Sequence, residues 1–261
     1  MFFGWWKRWR RARLARSPLP AAWVEYLDEV PLYRWLSAEE QRQLQRIVHV
    51  LIAEKHWEGC GGQVVDDRVK VVIAAQAALL VLRFGDVYFD RTPTILVYPD
   101  AYVAPYRKDL AGGVSLEGWD ERSGEAWYRG PVVLAWSEVT GALTGETGGR
   151  NIVLHEFAHQ LDMLDGTADG VPPMADGNQR RRWCRCCRHA LQSMRRSLAA
   201  GECVWLDEYA ATSAAEFFAV VSEAFWMQPR QLRLWHAELY DLWRDYFRQD
   251  PAERPGWDAP F

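Results

Sequence analysis

The segment at residues 150–165, RNIVLHEFAHQLDMLD, is the part of the chain that the rest has to position. Its apolar residues Ile152, Val153, Leu154, Phe157, Ala158, Leu161 and Leu164 recur at helical spacing, and inside that period stand His155, Glu156 and His159 in the pattern H-E-x-x-H. On a helix the two histidines lie one turn apart on one face, so both imidazoles can reach a single metal ion. Glu156 then sits beside the metal, not on it. A zinc ion held by two histidines and a third protein ligand, with one position open, lowers the pKa of bound water towards ~7. A neighbouring carboxylate can accept that water's proton during attack on a carbonyl, which is the chemistry of peptide-bond hydrolysis.

The motif lacks a third ligand close by. In the metzincin continuation H-x-x-G-x-x-H, the glycine position is here Asp162 and the last histidine position is Asp165. The third ligand is therefore expected further along the chain, as a glutamate in the manner of the gluzincins.

Composition sets the frame for such a site. The chain has 261 residues, 49% of them hydrophobic, enough to bury a core in one large domain or in one domain with appendages. Five cysteines (Cys60, Cys184, Cys186, Cys187, Cys203) and no secretory pattern predict a reducing, cytoplasmic setting without a disulfide framework. The longest uncharged apolar run, residues 71–82, is 12 residues long and too short for a bilayer that needs ~20, so it is expected as a buried helix. Residues 1–17 form a basic aromatic arm, MFFGWWKRWRRARLARS, and residues 18–261 the body. The first 16 residues carry a charge of +6 with no acid, which leaves −10 on the rest. The arm reads either as a disordered or loosely docked segment, or as one that makes weak contact with an anionic membrane surface or an acidic partner.

In chain order, Pro18 and Pro20 close the arm, and a short helix over residues 21–29 ends before Pro31. Ser37 and Glu40 form a capping box for a helix carrying Leu44, Ile47, Val48, Leu51 and Ile52, predicted to run to Gly59 with His49 and His56 on one face as structural residues. Residues 59–62 (GCGG) are a turn between helices, since no strand precedes and no G-K-S/T follows. Asp66 caps the helix that contains the apolar run.

Residues 94–98 (TILVY), 125–128 (EAWY) and 132–136 (VVLAW) then read as short strands of a small sheet. The last of them, with Pro131, is expected as an edge strand beside the H-E-x-x-H helix, suited to binding a substrate backbone by strand addition. The glycines of residues 140–149 are predicted to turn the chain into that helix, and residues 166–177 to rim the cleft.

Residues 178–198 form a helix with Arg180, Arg181, Arg182, Arg185, Arg188, Arg195 and Arg196 on one side. A solvated basic face explains these better than nucleic-acid binding, which is not expected. The spacing of Cys184, Cys186 and Cys187 fits no usual zinc site, so they are free thiols. A last helix over residues 229–248 closes the core.

The third ligand is sought in residues 208–226, EYAATSAAEFFAVVSEAFW, where Tyr209, Glu216 and Glu223 recur every seven residues along one face of a continuous helix. Two readings of Glu216 compete. It is a zinc ligand, or it is the partner of Ser213 in a second capping box, reaching back to a backbone N–H. Glu223 is expected to hold His155 or His159 through the ring nitrogen not bound to metal.

The motifs GPVVLAW, NIVLHEFAHQLD, DGVPP and EYAATSAAEFFAVVSEAFW together resemble the Mlc titration factor A family of zinc metallopeptidases, from about Trp23 to Pro251. The resemblance does not take in the arm or the arginine- and cysteine-rich helix. It implies a cytosolic, gluzincin-like zinc peptidase of aminopeptidase type acting on peptide or small peptide-like substrates, whose family name records binding to the repressor Mlc. It further implies one Zn2+ held by His155, His159 and Glu216, Glu156 as general base and Tyr209 as a hydrogen-bond donor to the transition state. The expected architecture is α+β: a zincin-like metallopeptidase domain with a small mixed sheet, an edge strand beside the H-E-x-x-H helix and several covering helices. The rival from another class is a binding protein that sequesters a transcription regulator and keeps a vestigial zinc site.

Overall fold

The computed structural model describes residues 2–14, 16–85, 87–110, 114–122, 124–126 and 130–254. Its elements are α1 (Phe2–Leu14), α2 (Ala21–Asp28), α3 (Pro31–Arg34), α4 (Ala38–Glu54), β1 (His56–Gly59), α5 (Asp67–Val81), β2 (Thr94–Tyr98), β3 (Tyr102–Leu110), β4 (Val114–Arg122), β5 (Gly124–Ala126), β6 (Val132–Ala135), α6 (Trp136–Thr144), α7 (Ile152–Asp162), α8 (Gly177–Ala199), α9 (Ala214–Met227), α10 (Pro229–Trp235) and α11 (Ala237–Phe247). Short 3-10 turns stand at Met163–Asp165, Glu208–Ala211 and Pro251–Glu253. The protein is thus a mixed α and β fold, mostly helical.

Helix α5 is the centre of the core. Every residue from Val71 to Leu82 is buried, as expected of a helix apolar all round. Asp66 caps it by accepting from the Val69 N–H at 2.9 Å. Helix α4 packs on it through Leu44, Ile47, Val48 and Leu51, started by the full Ser37–Glu40 capping box. The other side of the core is aromatic. Trp183 of α8 stacks on Trp243 of α11 at 4.3 Å between ring centroids, and Phe218 and Phe225 of α9 complete the cluster with Tyr246 and Phe247. Each such fully buried side chain contributes about 1.5–3 kcal/mol.

The small sheet runs in the order β1-β2-β6-β5, with β1, β2 and β6 parallel and β5 antiparallel to β6; β3 and β4 form a separate antiparallel pair. This overturns one expectation: β6 is interior, between β2 and β5, and all four of its residues are buried. Pro131 only precedes the strand, a position that costs no ladder hydrogen bond. The edge beside α7 is β5, the start of the EAWY run; Trp127 and Tyr128 of that run lie outside the described residues.

Other boundaries also differ from the sequence reading. Helix α4 stops at Glu54, because Lys55 is extended and its buried ammonium donates to the Phe89 carbonyl at 2.5 Å. His56 therefore sits on β1 and shares no helix with His49, and a strand does precede the glycine turn at residues 59–62. Trp136, expected to end the strand, instead starts a helix that runs to Thr144, into the residues 140–149 expected to be a turn. Gly141 is admitted inside α6 because the returning loop leaves a side chain little room, with Thr147 Cγ2 only 3.2 Å from where a Cβ would stand. The last helix is two, α10 and α11, broken at the non-helical His236.

The arm is not loose over its described residues. Residues 2–14 are helical, and Arg11 is buried, with Nε and Nη2 donating to Glu54 at 2.7–3.2 Å and Nη2 also to Asp90. All seven arginines of α8 are exposed, as a solvated face requires. Among the described residues no helix is long and apolar enough to cross a membrane.

Candidate metal centre

Helix α7 begins at Asn151, whose side chain accepts from the Leu154 N–H at 3.0 Å. The same residue ties α7 to two other helices. Its Nδ2 donates to Gln76 Oε1 of α5 at 2.7 Å, and its backbone N–H donates to Glu223 Oε2 of α9 at 2.6 Å. Gln76, the lone polar residue in the apolar run of α5, is fully buried and carries a role that periodicity alone cannot show.

One turn on, His155 is buried with Nδ1 2.7 Å from Glu223 Oε1. Glu223 thus spends both oxygens on α7, one on the helix start and one on the imidazole. The other ring nitrogen, Nε2, lies 3.0 Å from Glu216 Oε2 and 3.2 Å from His159 Nε2, and His159 Nε2 lies 3.2 Å from the same Glu216 oxygen. The three ligand atoms therefore form a nearly equilateral triangle. Three ligands at ~2.0–2.1 Å from one tetrahedral ion would stand roughly 3.3 Å apart, so the triangle has the size that an ion requires. His155, His159 and Glu216 are the one group of potential metal ligands among the described residues.

The chemistry of the donor set fits a cation as well. With the His155 Nδ1–H donated to Glu223, Nε2 of the neutral ring presents a lone pair towards a carboxylate oxygen, an arrangement that needs either a proton or a metal between them. Without a metal the proton supplies this. Burial works against the imidazolium, but the Glu223 charge and bonds to both glutamates hold His155 well above the usual histidine range. Burial likewise opposes ionisation of Glu216, yet its hydrogen bonds to His155 and His159 hold the carboxyl down at about 2.

Glu156, next on the helix, is buried close to this group and adds to the negative potential at His155. Tyr209 is placed differently. The helix expected over residues 208–226 is broken, with a 3-10 turn at Glu208–Ala211, an extended Ser213 and then α9. Tyr209 stands on the turn, 53% exposed, its ring 6.1 Å from that of His155 between centroids. It reaches the site from the rim, while Glu216 and Glu223 share one face of α9. The break comes from Ser213, whose Oγ accepts from the Glu216 N–H at 3.0 Å. Both readings of Glu216 are therefore half present: its backbone is capped by Ser213, and its carboxylate turns to the histidines.

Two further residues set the spacing of α7 and α9, and the sequence reading assigned neither of them a role. Asp162, buried at the end of α7, accepts from the Gly170 N–H at 2.9 Å, and burial pushes its carboxyl up to about 6. Gly170 accepts from Trp183 Nε1 at 2.9 Å and has φ +74°. A Cβ there would stand 2.3 Å from the Ala214 carbonyl oxygen, so only glycine lets the loop lie against the first turn of α9, two residues before Glu216. The D-G pair of DGVPP was its only sequence signal.

Comparison with known proteins agrees with this geometry. An uncharacterized protein of Synechocystis sp. is 37% identical over 248 residues, covering 94% of this chain and 90% of its own length. Mlc titration factor A of Yersinia pestis (strain Pestoides F) and that of Yersinia pseudotuberculosis serotype O:1b are each 30% identical over 249 residues, with the same coverage. The family profile described as Glucose-regulated metallo-peptidase M90 matches residues 6–248, which includes most of α1 and all of α8, the two segments that the motif resemblance did not take in. With the match running over nearly the whole length and the His155, His159 and Glu216 triangle inside it, the chain belongs to the glucose-regulated metallo-peptidase M90 family.

Proposed function

We propose that this protein is a zinc-dependent peptidase of aminopeptidase type, with a gluzincin-like site on a zincin-like arrangement of α7, α9 and the edge strand β5. The observation that carries the reading is the triangle of His155 Nε2, His159 Nε2 and Glu216 Oε2, with edges of 3.0–3.2 Å. A zinc ion held there would polarise a peptide carbonyl and acidify water.

The chain's own residues supply the rest. Glu223 accepts the His155 Nδ1–H and so fixes the tautomer that leaves Nε2 free to ligate, and Asn151 steadies Glu223 through its N–H. Glu156 takes the proton from the attacking water and returns it to the leaving amine. The Tyr209 hydroxyl, on the rim, donates to the oxygen that becomes negative during attack. The short antiparallel edge β5 packs against α7 and aligns a peptide backbone by strand addition. All five cysteines are free, which suits a reducing cytoplasmic setting.

The name of the Yersinia relatives motivates a second reading, in which the protein binds a transcriptional repressor of the Mlc type and catalysis is vestigial. One experiment separates the two. Zinc content and peptidase turnover are measured for the wild type and Glu156→Gln. The peptidase reading expects one zinc per chain in both proteins, with turnover falling by about a hundredfold or more in the variant. Undiminished turnover in the zinc-loaded variant would remove Glu156 from the mechanism, and zinc-loaded wild type without turnover on any peptide would leave the binding reading.

A further inference from the structure

Helix α1 has its polarity reversed. A surface helix ordinarily buries its apolar stripe and shows its charges to water. Here the face against the body is charged: Arg11 is held by Glu54 and Asp90 and lies over the Tyr88 ring, and Lys7 pairs with Asp90 at 3.0 Å. The outward face is aromatic, with Trp5 70%, Trp6 54% and Trp9 51% exposed. At 100° per residue these three cluster on one side, opposite Lys7, Arg11 and Leu14, with the exposed Arg8 flanking Trp5 and the exposed Arg13 between Trp9 and Trp6. Arg10 and Arg13 lie over the Trp6 and Trp9 rings at 5.8 and 5.9 Å.

We propose that α1 docks this protein on an anionic lipid surface, with the tryptophans at the level of the headgroups and the arginines on the phosphates. Three points select this occupant. Indole rings, apolar in body with one N–H donor, prefer the membrane interface. The first 16 residues hold +6 without a single acid, complementary to an anionic leaflet. The remainder of the chain carries −10, and of the two basic helices α1 alone joins its arginines to exposed tryptophans, which the arginine face of α8 lacks, and this orients the docking. The clamp of Arg11 on Glu54 and Asp90 makes α1 part of the folded body, so docking carries the whole protein and not a flexible tether.

The test is flotation of the full-length protein with vesicles of phosphatidylcholine alone and of phosphatidylcholine mixed with phosphatidylglycerol. Binding is expected only to the mixed vesicles, and is expected to weaken as salt rises. Arg8→Ala with Arg13→Ala should lower the partition constant roughly 30-fold, about 1 kcal/mol for each arginine. Trp5→Ala with Trp9→Ala should abolish flotation while leaving thermal unfolding where it is in the wild type, since both side chains point outward. The proposal falls if neither vesicle binds, if both bind equally, or if the tryptophan variant floats like the wild type. It also falls if sedimentation shows a dimer that the tryptophan variant converts to monomer, for the face would then belong to a second copy of this chain.

Discussion

Two short stretches of this chain carry the same signal and end in different chemistry. Ser37 to Glu40 and Ser213 to Glu216 are both S-x-x-E at a helix start, and in both the serine Oγ accepts from the glutamate N–H. Both carboxyls are held down at about 2. In α4 the box closes. Glu40 Oε2 accepts from the Ser37 N–H at 3.0 Å, and Arg254 bonds both oxygens at 2.7 and 2.8 Å, with Arg83 adding a contact at 2.9 Å. In α9 the carboxylate leaves the box and turns to two imidazoles of α7. Guanidinium groups are permanently charged, so the Glu40 cluster is complete at every pH where the carboxylate is ionised. Imidazoles must be protonated to do the same, or share a metal ion with the carboxylate. A depressed carboxyl therefore says little by itself; what depresses it decides whether the cluster is a strut or a ligand set.

The comparison is broken most directly by removing the charge from Glu216. Glu216→Gln takes away the proposed anionic ligand while leaving the Ser213 cap on the backbone, so zinc affinity should collapse, whereas the metal-free protein loses only the carboxylate's bonds to His155 and His159, a modest cost beside it. Chelator competition and a denaturant titration of the same sample read the two quantities separately. Retained zinc affinity in this variant would make α9 a second strut like α4.

Next in size is Glu223→Gln. Its carboxylate touches no ligand position and acts through His155 Nδ1, so zinc affinity should fall by about ten- to hundredfold, less than for Glu216→Gln. The order of the two losses is the sharper measurement. A larger loss at Glu223 would mean that the ligand lies two turns further along α9 than the triangle places it.

How much of this was legible in the sequence follows from the range of each interaction. The His155–His159 pair of α7, the S-x-x-E start of α4, the buried α5 and the β2 run are written within a few residues of themselves, and the structure places them where the periodicity did. The heptad of Tyr209, Glu216 and Glu223 was compatible with one helix or with a turn followed by a helix. Only the close approach of Gly170 to Ala214 and the extended Ser213 show why it is the second. Strand order was illegible for a similar reason. Val132 to Ala135 pairs with β2 on one side and β5 on the other, and nothing within the strand itself names its neighbours. Asn151 and Gln76, which hold Glu223 and the start of α7, meet across 75 residues of chain, and no local pattern marks them.

The smallest effect is expected at the strut, and its pH dependence tests the contrast from the other side. Glu40 is depressed from 4.5 to about 2, against the opposing effect of its own burial, by Arg254 and Ser37. A depressed carboxyl stabilises the fold at pH above its unfolded value and loses that contribution as pH falls through its folded value. The window here runs from about 4.5 down to about 2. With Arg83 partly in solvent, the contribution at neutral pH should be about 2 kcal/mol. Glu40→Gln should therefore destabilise the metal-free protein by that amount at neutral pH, with zinc affinity unchanged. The gap between wild type and variant should shrink to less than half by about pH 3, since the wild-type carboxylate is then being protonated in the unfolded chain first. Denaturant midpoints at the two pH values measure the gap directly. A gap that stays constant with pH would show that Glu40 acts through packing and the Ser37 cap alone, and the charge contrast with Glu216 would then have no basis.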